Sequence, residues 1–258
     1  MWKMIRARIQ QGYRTVPYPD GPAPALPPRY VGWPRVDSNQ CPAECDRCGQ
    51  VCPTQAITWA PDSRQLTLDT GCCLFCGACA RACDAGAVEF TREFRMASSR
   101  RSALVVTDQS PLPAVELDQA MRQILGRALR LRQVSAGGCN ACEADTNVLN
   151  TVGWDLGRFG VQFVASPRHA DGLLVTGPVT RNMRAALEKT YHAVPAPKIV
   201  IAVGACAIAG GPYRGHPEVH DGADSVVPVD VYVPGCPPHP LTILHALLAA
   251  IRGSDARL

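Results

Sequence analysis

The residues best suited to chemistry in this sequence are its cysteines. There are 13 of them among 258 residues, and an odd number cannot pair completely in disulfides. The first residues, MWKMIRARIQ, contain neither the uninterrupted apolar segment of a secretory signal nor an adjacent arginine pair. We therefore expect a reducing cytoplasm, where clustered thiols bind metals more often than they form disulfides.

Two cysteine runs have the spacing of iron–sulfur ligands. The first run is Cys41, Cys45, Cys48 and Cys52 with Pro53 after it, and the second is Cys73, Cys76, Cys79 and Cys83. Both approximate the C-x2-C-x2-C-x3-C-P pattern of two-cluster bacterial ferredoxins, in which the last cysteine of each run binds the other cluster. We therefore assign one [4Fe-4S] cluster to Cys41, Cys45, Cys48 and Cys83, and a second to Cys73, Cys76, Cys79 and Cys52.

Both runs depart slightly from the ferredoxin pattern. Three residues instead of two separate Cys41 from Cys45, and Asp84 stands where a proline usually follows the last cysteine. A slightly wider loop accommodates both changes. The alternative is a pair of zinc ribbons, but those use two cysteine pairs per metal without the third close cysteine and the trailing cysteine.

The second run offers two neighbouring thiols for one ligand position. The two runs align with each other at a constant offset, which places Cys45 over Cys76 and indicates a duplication. This offset matches Cys72 with Cys41, whereas the two-residue spacing before Cys76 selects Cys73. We expect Cys73 to be the ligand and Cys72 to be a buried or spare thiol.

The last four cysteines each follow an apolar, strand-like run. They are Cys139, Cys142, Cys206 and Cys236, and glycines surround all of them. The carboxyl ends of parallel strands meet at one edge of a sheet, so three loops can bring these thiols together. Glycine lets the backbone approach a cluster closely. We predict a third [4Fe-4S] cluster here; the alternative is four separate buried cysteines that act as small hydrophobic residues.

Three segments are expected to position these cysteines. Residues 1–38 contain a proline-rich arm, preceded by a short amphipathic helix with Trp2, Ile5, Ile9 and Tyr13 on one face. Such a helix could dock on its own protein, on a partner or on an anionic membrane surface, and the sequence leaves these alternatives open. Residues 39–98 are predicted to form a small α+β ferredoxin domain.

Residues 99–258 are predicted to form an α/β domain. Short strand-like runs (QFVAS, GLLVT, KIVIAV and VDVYV) alternate with helical ones (VELDQAMRQILGRALR, RNMRAALEKTYH and LTILHALLAAI), which is typical of a parallel sheet covered by helices. The helix from Leu241 to Ile251 has about half the length that a bilayer requires. The net charge is only +4 and the basic residues are spread along the chain, so we expect no nucleic-acid partner.

The C-terminal motifs resemble a known family. The runs GGCNACEADTNVL, PRHADGLLVTGPVTRNM, GACAIAGGPY and VPVDVYVPGCPPHP resemble the small subunit of [NiFe] hydrogenases and its counterpart in respiratory complex I, the B subunit, over about residues 130–252. The N-terminal part resembles the two-cluster ferredoxin subunit, the I subunit, that accompanies it. Complex I places the first two ligands side by side. The two residues between Cys139 and Cys142, with Glu143 following, resemble energy-converting, membrane-associated hydrogenases such as formate hydrogenlyase.

The resemblance implies a flavodoxin-like domain whose cluster lies beside a Ni–Fe centre on a separate large subunit. It also implies membrane subunits, an electron donor such as a formate dehydrogenase module or a ferredoxin, and a peripheral position on the cytoplasmic side of the membrane. Arg168, His169 and His239 could supply positive charge near the cluster, and Glu143 could relay protons or cap a helix.

Two alternatives for the function remain open. The large partner could lack nickel ligands, which would make this chain the connecting subunit of a complex I-like, quinone- or sulfur-linked oxidoreductase. The chain could also be a free-standing soluble ferredoxin.

Overall fold

The computed structural model of the protein describes residues 1–12, 14–42, 45–117, 121 and 128–252. The predicted helix over residues 115–130 lies largely outside these ranges, as does Tyr13. Among the described residues, no helix is both long and apolar enough to cross a membrane.

The N-terminal segment is one helix followed by an extended arm. Helix α1 spans Trp2–Gln11, as the apolar spacing predicts. The arm crosses both cysteine-bearing regions, because the Val16 N–H donates to the Gly153 carbonyl over 2.7 Å and the Gly32 N–H donates to Thr91 over 2.9 Å. It ends before residue 38, the expected limit, because Pro34–Val36 already forms a strand.

The first cysteine-rich region is built from short elements. They are β1 (Pro34–Val36), α2 (Arg47–Gln50), β2 (Ile57–Ala60), β3 (Gln65–Asp69), α3 (Ala78–Ala82), β4 (Val88–Phe90) and β5 (Val105–Val106). Strand β1 pairs with β4, and β3 lies between β2 and β5; every pair is antiparallel. Helix α3 and strand β4 follow α2 and β2 at the same offset that relates the two cysteine runs, so the sequence repeat is also a structural repeat. Strand β5 lies beyond the predicted boundary at residue 98.

The C-terminal region is a five-stranded parallel sheet between helices. Its strands are β6 (Leu129–Ser135), β7 (Val161–Phe163), β8 (Gly172–Thr176), β9 (Ile199–Val203) and β10 (Val231–Val233). Their spatial order is β10-β9-β8-β6-β7, which is the 2-1-3-4-5 order of doubly wound, flavodoxin-type sheets. The predicted α/β architecture with a parallel sheet is confirmed.

In the part of the C-terminal region that the structure describes, four α-helices accompany this sheet. They are α4 (Ala141–Val148), α5 (Arg181–Ala193), α6 (Ala205–Ala209) and α7 (Pro240–Arg252). All residues of β8 and β9 are buried, as expected for central strands covered on both faces. Helix α7 is buried along almost its whole length, which confirms the prediction of a core helix over Leu241–Ile251.

Candidate metal centres

Four thiols from the two repeats face one another beside α2. Cys41 follows a single helical turn, Cys48 lies on α2, and Cys83 ends α3. Burial raises the pKa of Cys41 to about 11, and the neighbouring thiols of Cys48, Cys83 and Cys45 act in the same direction. The first thiol group therefore consists of the four cysteines that the ferredoxin pattern assigns to one cluster.

A second group contains the complementary four cysteines. Burial raises the pKa of Cys73 to about 12, and the adjacent thiols are those of Cys79, Cys52 and Cys76. The backbone N–H of Phe75 donates to the Cys73 sulfur over 3.2 Å. Three of the four cysteines come from the second repeat, and Cys52 comes from the first.

The cysteine that each repeat contributes to the other group is held in the same way. The Ala56 N–H donates to Cys52 Sγ over 3.2 Å, and the Ala87 N–H donates to Cys83 Sγ over 3.2 Å. The two bonds occupy equivalent positions in the repeats. Backbone N–H groups that point at sulfur stabilise negative charge there, which is one way in which proteins tune iron–sulfur clusters.

The third group lies at the carboxyl edge of the parallel sheet. Cys139 follows β6, Cys206 lies on α6 after β9, and Cys236 follows β10. Burial raises the pKa of Cys142, and so do the thiols of Cys206, Cys236 and Cys139 in addition to the Glu143 carboxylate. The three loops meet at one edge of the sheet, as the sequence predicts.

Two glycines leave room for these sulfurs. A Cβ atom on Gly204 would lie 2.5 Å from Cys142 Sγ, and one on Gly211 would lie 2.7 Å from Cys206 Sγ. Both residues also have positive φ, +91° and +55°, which favours glycine. Larger side chains at either position would displace a thiol of the third group.

The three groups form a series. Cys48 of the first group acts electrostatically on Cys79 of the second. Cys76 of the second group acts in the same way on Cys236 of the third. The second group therefore lies between the other two.

The third group lies in a part of the chain that matches a known family. The family model of the NADH ubiquinone oxidoreductase 20 kDa subunit matches residues 139–250. Over 129 residues the chain is 44% identical to a probable membrane-bound hydrogenase subunit, mbhJ, of Pyrococcus furiosus, and the match covers 50% of this chain and 77% of that protein. The chain belongs to this NADH ubiquinone oxidoreductase subunit family.

Two further relatives come from different oxidoreductases. Formate hydrogenlyase subunit 7 of Escherichia coli is 44% identical over 125 residues, 48% of this chain and 49% of that protein. An NADH-quinone oxidoreductase B-type subunit of a Roseiflexus species is 43% identical over 121 residues, 46% of this chain and 45% of that protein. The chain thus spans about half the length of these two relatives. The family consists of iron–sulfur subunits of oxidoreductases, and this chain is one of them.

The thiol groups suit the iron–sulfur chemistry of this family better than a single metal ion. In the described ranges, no three Cys, His, Asp or Glu side chains are close enough to hold one metal ion. A four-iron cluster is larger than one ion, so its thiolates lie further apart than those of a zinc site. Burial and mutual repulsion disfavour ionisation of these thiols, and bound iron cations would offset that cost.

Cys72 lies outside all three groups, although Cys73 next to it belongs to the second. The Cys72 thiol donates to Asp69 Oδ2 over 3.1 Å and accepts from Arg214 Nη1 over 3.4 Å and from Arg101 Nη2 over 3.6 Å. Burial raises the pKa of Cys72 to about 11, and Asp69 acts in the same direction. The sequence pattern did not reveal this cluster, because Arg101 and Arg214 are distant in sequence and have no distinctive spacing.

Glu143 is buried and lies near Cys142 and Cys206 of the third group. Its Oε1 accepts hydrogen bonds from Ser135 Oγ over 2.6 Å and from Thr176 Oγ1 over 2.7 Å. Although Glu143 is in the first turn of α4, these bonds join that helix to β6 and β8. The proton relay stays a prediction.

The structure separates two of the three expected positive charges from the third group. Arg168 and His169 precede β8, whereas the thiols follow β6, β9 and β10; the two residues therefore lie at the opposite edge of the sheet. His239 is close in sequence to Cys236, but burial lowers its pKa and its Nδ1 accepts the Leu241 N–H. The expected charge contribution of Arg168 and His169 was therefore wrong, whereas that of His239 stays a prediction.

Proposed function

We propose that this chain is the electron-transfer subunit of a membrane-associated [NiFe] hydrogenase complex of the formate hydrogenlyase type. The observation that carries the proposal is the series of three four-thiol groups. Cys41, Cys45, Cys48 and Cys83 would hold one [4Fe-4S] cluster, Cys52, Cys73, Cys76 and Cys79 the second, and Cys139, Cys142, Cys206 and Cys236 the third. When bound, such clusters supply one-electron transfer.

The residues around the thiols contribute placement and protection from water. Cys41, Cys48 and Cys73 are buried, and the N–H groups of Ala56 and Ala87 point at two of the sulfurs. Burial and N–H···S bonds act on a cluster's potential in opposite directions and are the main protein contributions to it. The series arrangement favours the ferredoxin-like region as the side that meets the electron donor.

The third group is the side that would face the large subunit. Cys139 and Cys236 are exposed, as expected where a partner completes the surroundings of a cluster. We propose a hydrogenase large subunit there, together with membrane subunits of the complex and a donor such as a formate dehydrogenase module or a ferredoxin. These partners would hold the chain on the cytoplasmic side of the membrane. The names of the Pyrococcus and Escherichia relatives support this assignment.

The second candidate is the connecting subunit of a complex I-like, quinone- or sulfur-linked oxidoreductase without hydrogenase activity. It is favoured by the Roseiflexus relative, which is 43% identical, almost the same as the two hydrogenase relatives. The spacing of Cys139 and Cys142 favours the hydrogenase type.

The deciding experiment is purification of the chain with its native partners, followed by assays of nickel content and hydrogen evolution. We expect nickel, hydrogen evolution and a large subunit with two C-x2-C pairs. A large subunit that lacks these pairs, in a complex without nickel, would support the complex I-like alternative. A chain that purifies as a stable monomer without partners would support a free-standing ferredoxin.

A further inference from the structure

We infer that helix α1 binds directly to the surface of an anionic lipid bilayer. This is independent of the clusters and of the partner subunits proposed above. The first observation is exposure: no residue of α1 is buried, and the side chains of Trp2 and Ile9 are 83% and 74% exposed. The helix therefore does not dock on its own protein in the described structure, which removes one of the three alternatives that the sequence left open.

The second observation is the arrangement of side chains around α1. At about 100° per residue, Trp2, Ile5 and Ile9 fall within a sector of about 60°. Arg6 and Arg8 lie on opposite borders of this sector. Arginines in these positions can extend to the phosphate level while the apolar face enters the bilayer surface.

The third observation is charge. Residues 1–19 contain Lys3, Arg6, Arg8 and Arg14 and no acidic residue; Asp20 is the first. All charged side chains of this segment are therefore cations, and they accompany an apolar stripe. A bilayer with acidic lipids is complementary to such a helix, because its anionic headgroups lie above an apolar interior. Trp2 adds a side chain of the type enriched at that level of a membrane.

The helix is also held close to the folded body. The Val16 N–H donates to the Gly153 carbonyl, and Arg158 donates to the Tyr18 carbonyl over 3.0 Å. The chain from Gln11 to Val16 can span at most about 18 Å. Bilayer contact through α1 would therefore fix one side of the protein near the membrane, and Val152, which is 75% exposed, lies next to that anchor.

The test is sedimentation of the full chain with vesicles of phosphatidylcholine, with or without phosphatidylglycerol. We expect binding to the anionic vesicles, weakening with salt, and a blue shift of tryptophan emission that Trp2→Phe removes. Ile9→Gln should lower the partition coefficient about tenfold, since an isoleucine leaves the apolar face. Arg6→Gln should lower it about fivefold.

Two matched substitutions serve as controls. Met4 is 76% exposed but lies about 130° from the centre of the apolar sector, so Met4→Gln should leave vesicle binding unchanged. Lys189 is an exposed cation on α5, and Lys189→Gln should also have no effect. Equal losses for Ile9→Gln and Met4→Gln would overturn the inference. It would also be overturned if the full chain ignored anionic vesicles and bound membranes only through another protein.

Discussion

The ion pair between Asp69 and Arg101 is expected to stabilise the junction of the two cysteine-bearing regions. Arg101 donates from Nη1 and Nη2 to the two carboxylate oxygens over 2.8 and 2.6 Å, and the arginine and aspartate side chains are 29% and 26% exposed. The same cluster contains Cys72 and Arg214, which belong to different regions. Arg101→Met removes the cation but keeps much of the apolar stem.

The partial burial of the pair determines how much unfolding free energy the Arg101→Met substitution should cost. Removing one partner of a fully buried pair costs about 3–5 kcal/mol, whereas exposed pairs contribute up to about 1 kcal/mol. For Arg101→Met we expect an intermediate loss of about 2 kcal/mol, which in a chain of this size lowers the Tm by about 4–8 °C.

The matched control is Arg130→Met. Arg130 also pairs with an aspartate, Asp171, but over 3.3 Å and with 53% of the arginine side chain exposed. Its loss should cost less than about 1 kcal/mol. The assay is thermal unfolding of both variants at equal iron content. If Arg101→Met lowered the Tm no more than Arg130→Met, the reasoning about this junction would be refuted.

The same pair predicts a pH dependence. Burial raises the pKa of Asp69, but hydrogen bonds and charge from Arg101 outweigh burial and leave the pKa below its usual value. The contribution of the Asp69 carboxylate to the free energy of unfolding is therefore complete above the unfolded-state pKa of about 3.9. It is lost as the pH falls through the lower folded-state pKa. Arg101→Met should weaken this acid sensitivity.

Three further changes have defined outcomes. Cys73→Ser should lower the iron content by about four atoms per chain, whereas Cys72→Ser should leave it unchanged; elemental analysis separates the two, and the reverse order would contradict the thiol grouping. Gly204→Ala should remove the EPR signal of the third cluster alone, because its Cβ would lie 2.5 Å from Cys142 Sγ; three intact signals would show that the loop accommodates a methyl group. Burial lowers the pKa of His245 to about 4, so the unfolding free energy should fall as the pH decreases from about 6.5 toward 4, and His245→Asn should reduce that slope in denaturant titrations.

The cysteine grouping could be predicted because ligand spacing is a local property of the sequence. The crossed positions of Cys52 and Cys83 follow from the ferredoxin pattern, and the third group follows from the rule that parallel strands end at one edge. The parallel sheet was likewise visible in the alternation of apolar strands and helices.

Other features depend on contacts that leave no local pattern. The Asp69–Arg101–Arg214 cluster joins residues far apart in sequence, and single charges there resemble any surface charge. The pairing of β5 with β3 beyond the predicted boundary at residue 98 was not foreseen, because β5 is only two residues long. The expectation for Arg168 and His169 was wrong for a simpler reason: they precede a strand, and residues that precede parallel strands lie at the edge opposite the ligands.

The most direct test of the central claim is the iron content and EPR spectrum of the full chain after anaerobic reconstitution. Three four-thiol groups predict about twelve iron atoms per chain and signals of three interacting [4Fe-4S] centres after reduction. About eight iron atoms would mean that one group does not hold a cluster. Stoichiometric zinc without iron would contradict the iron–sulfur assignment altogether.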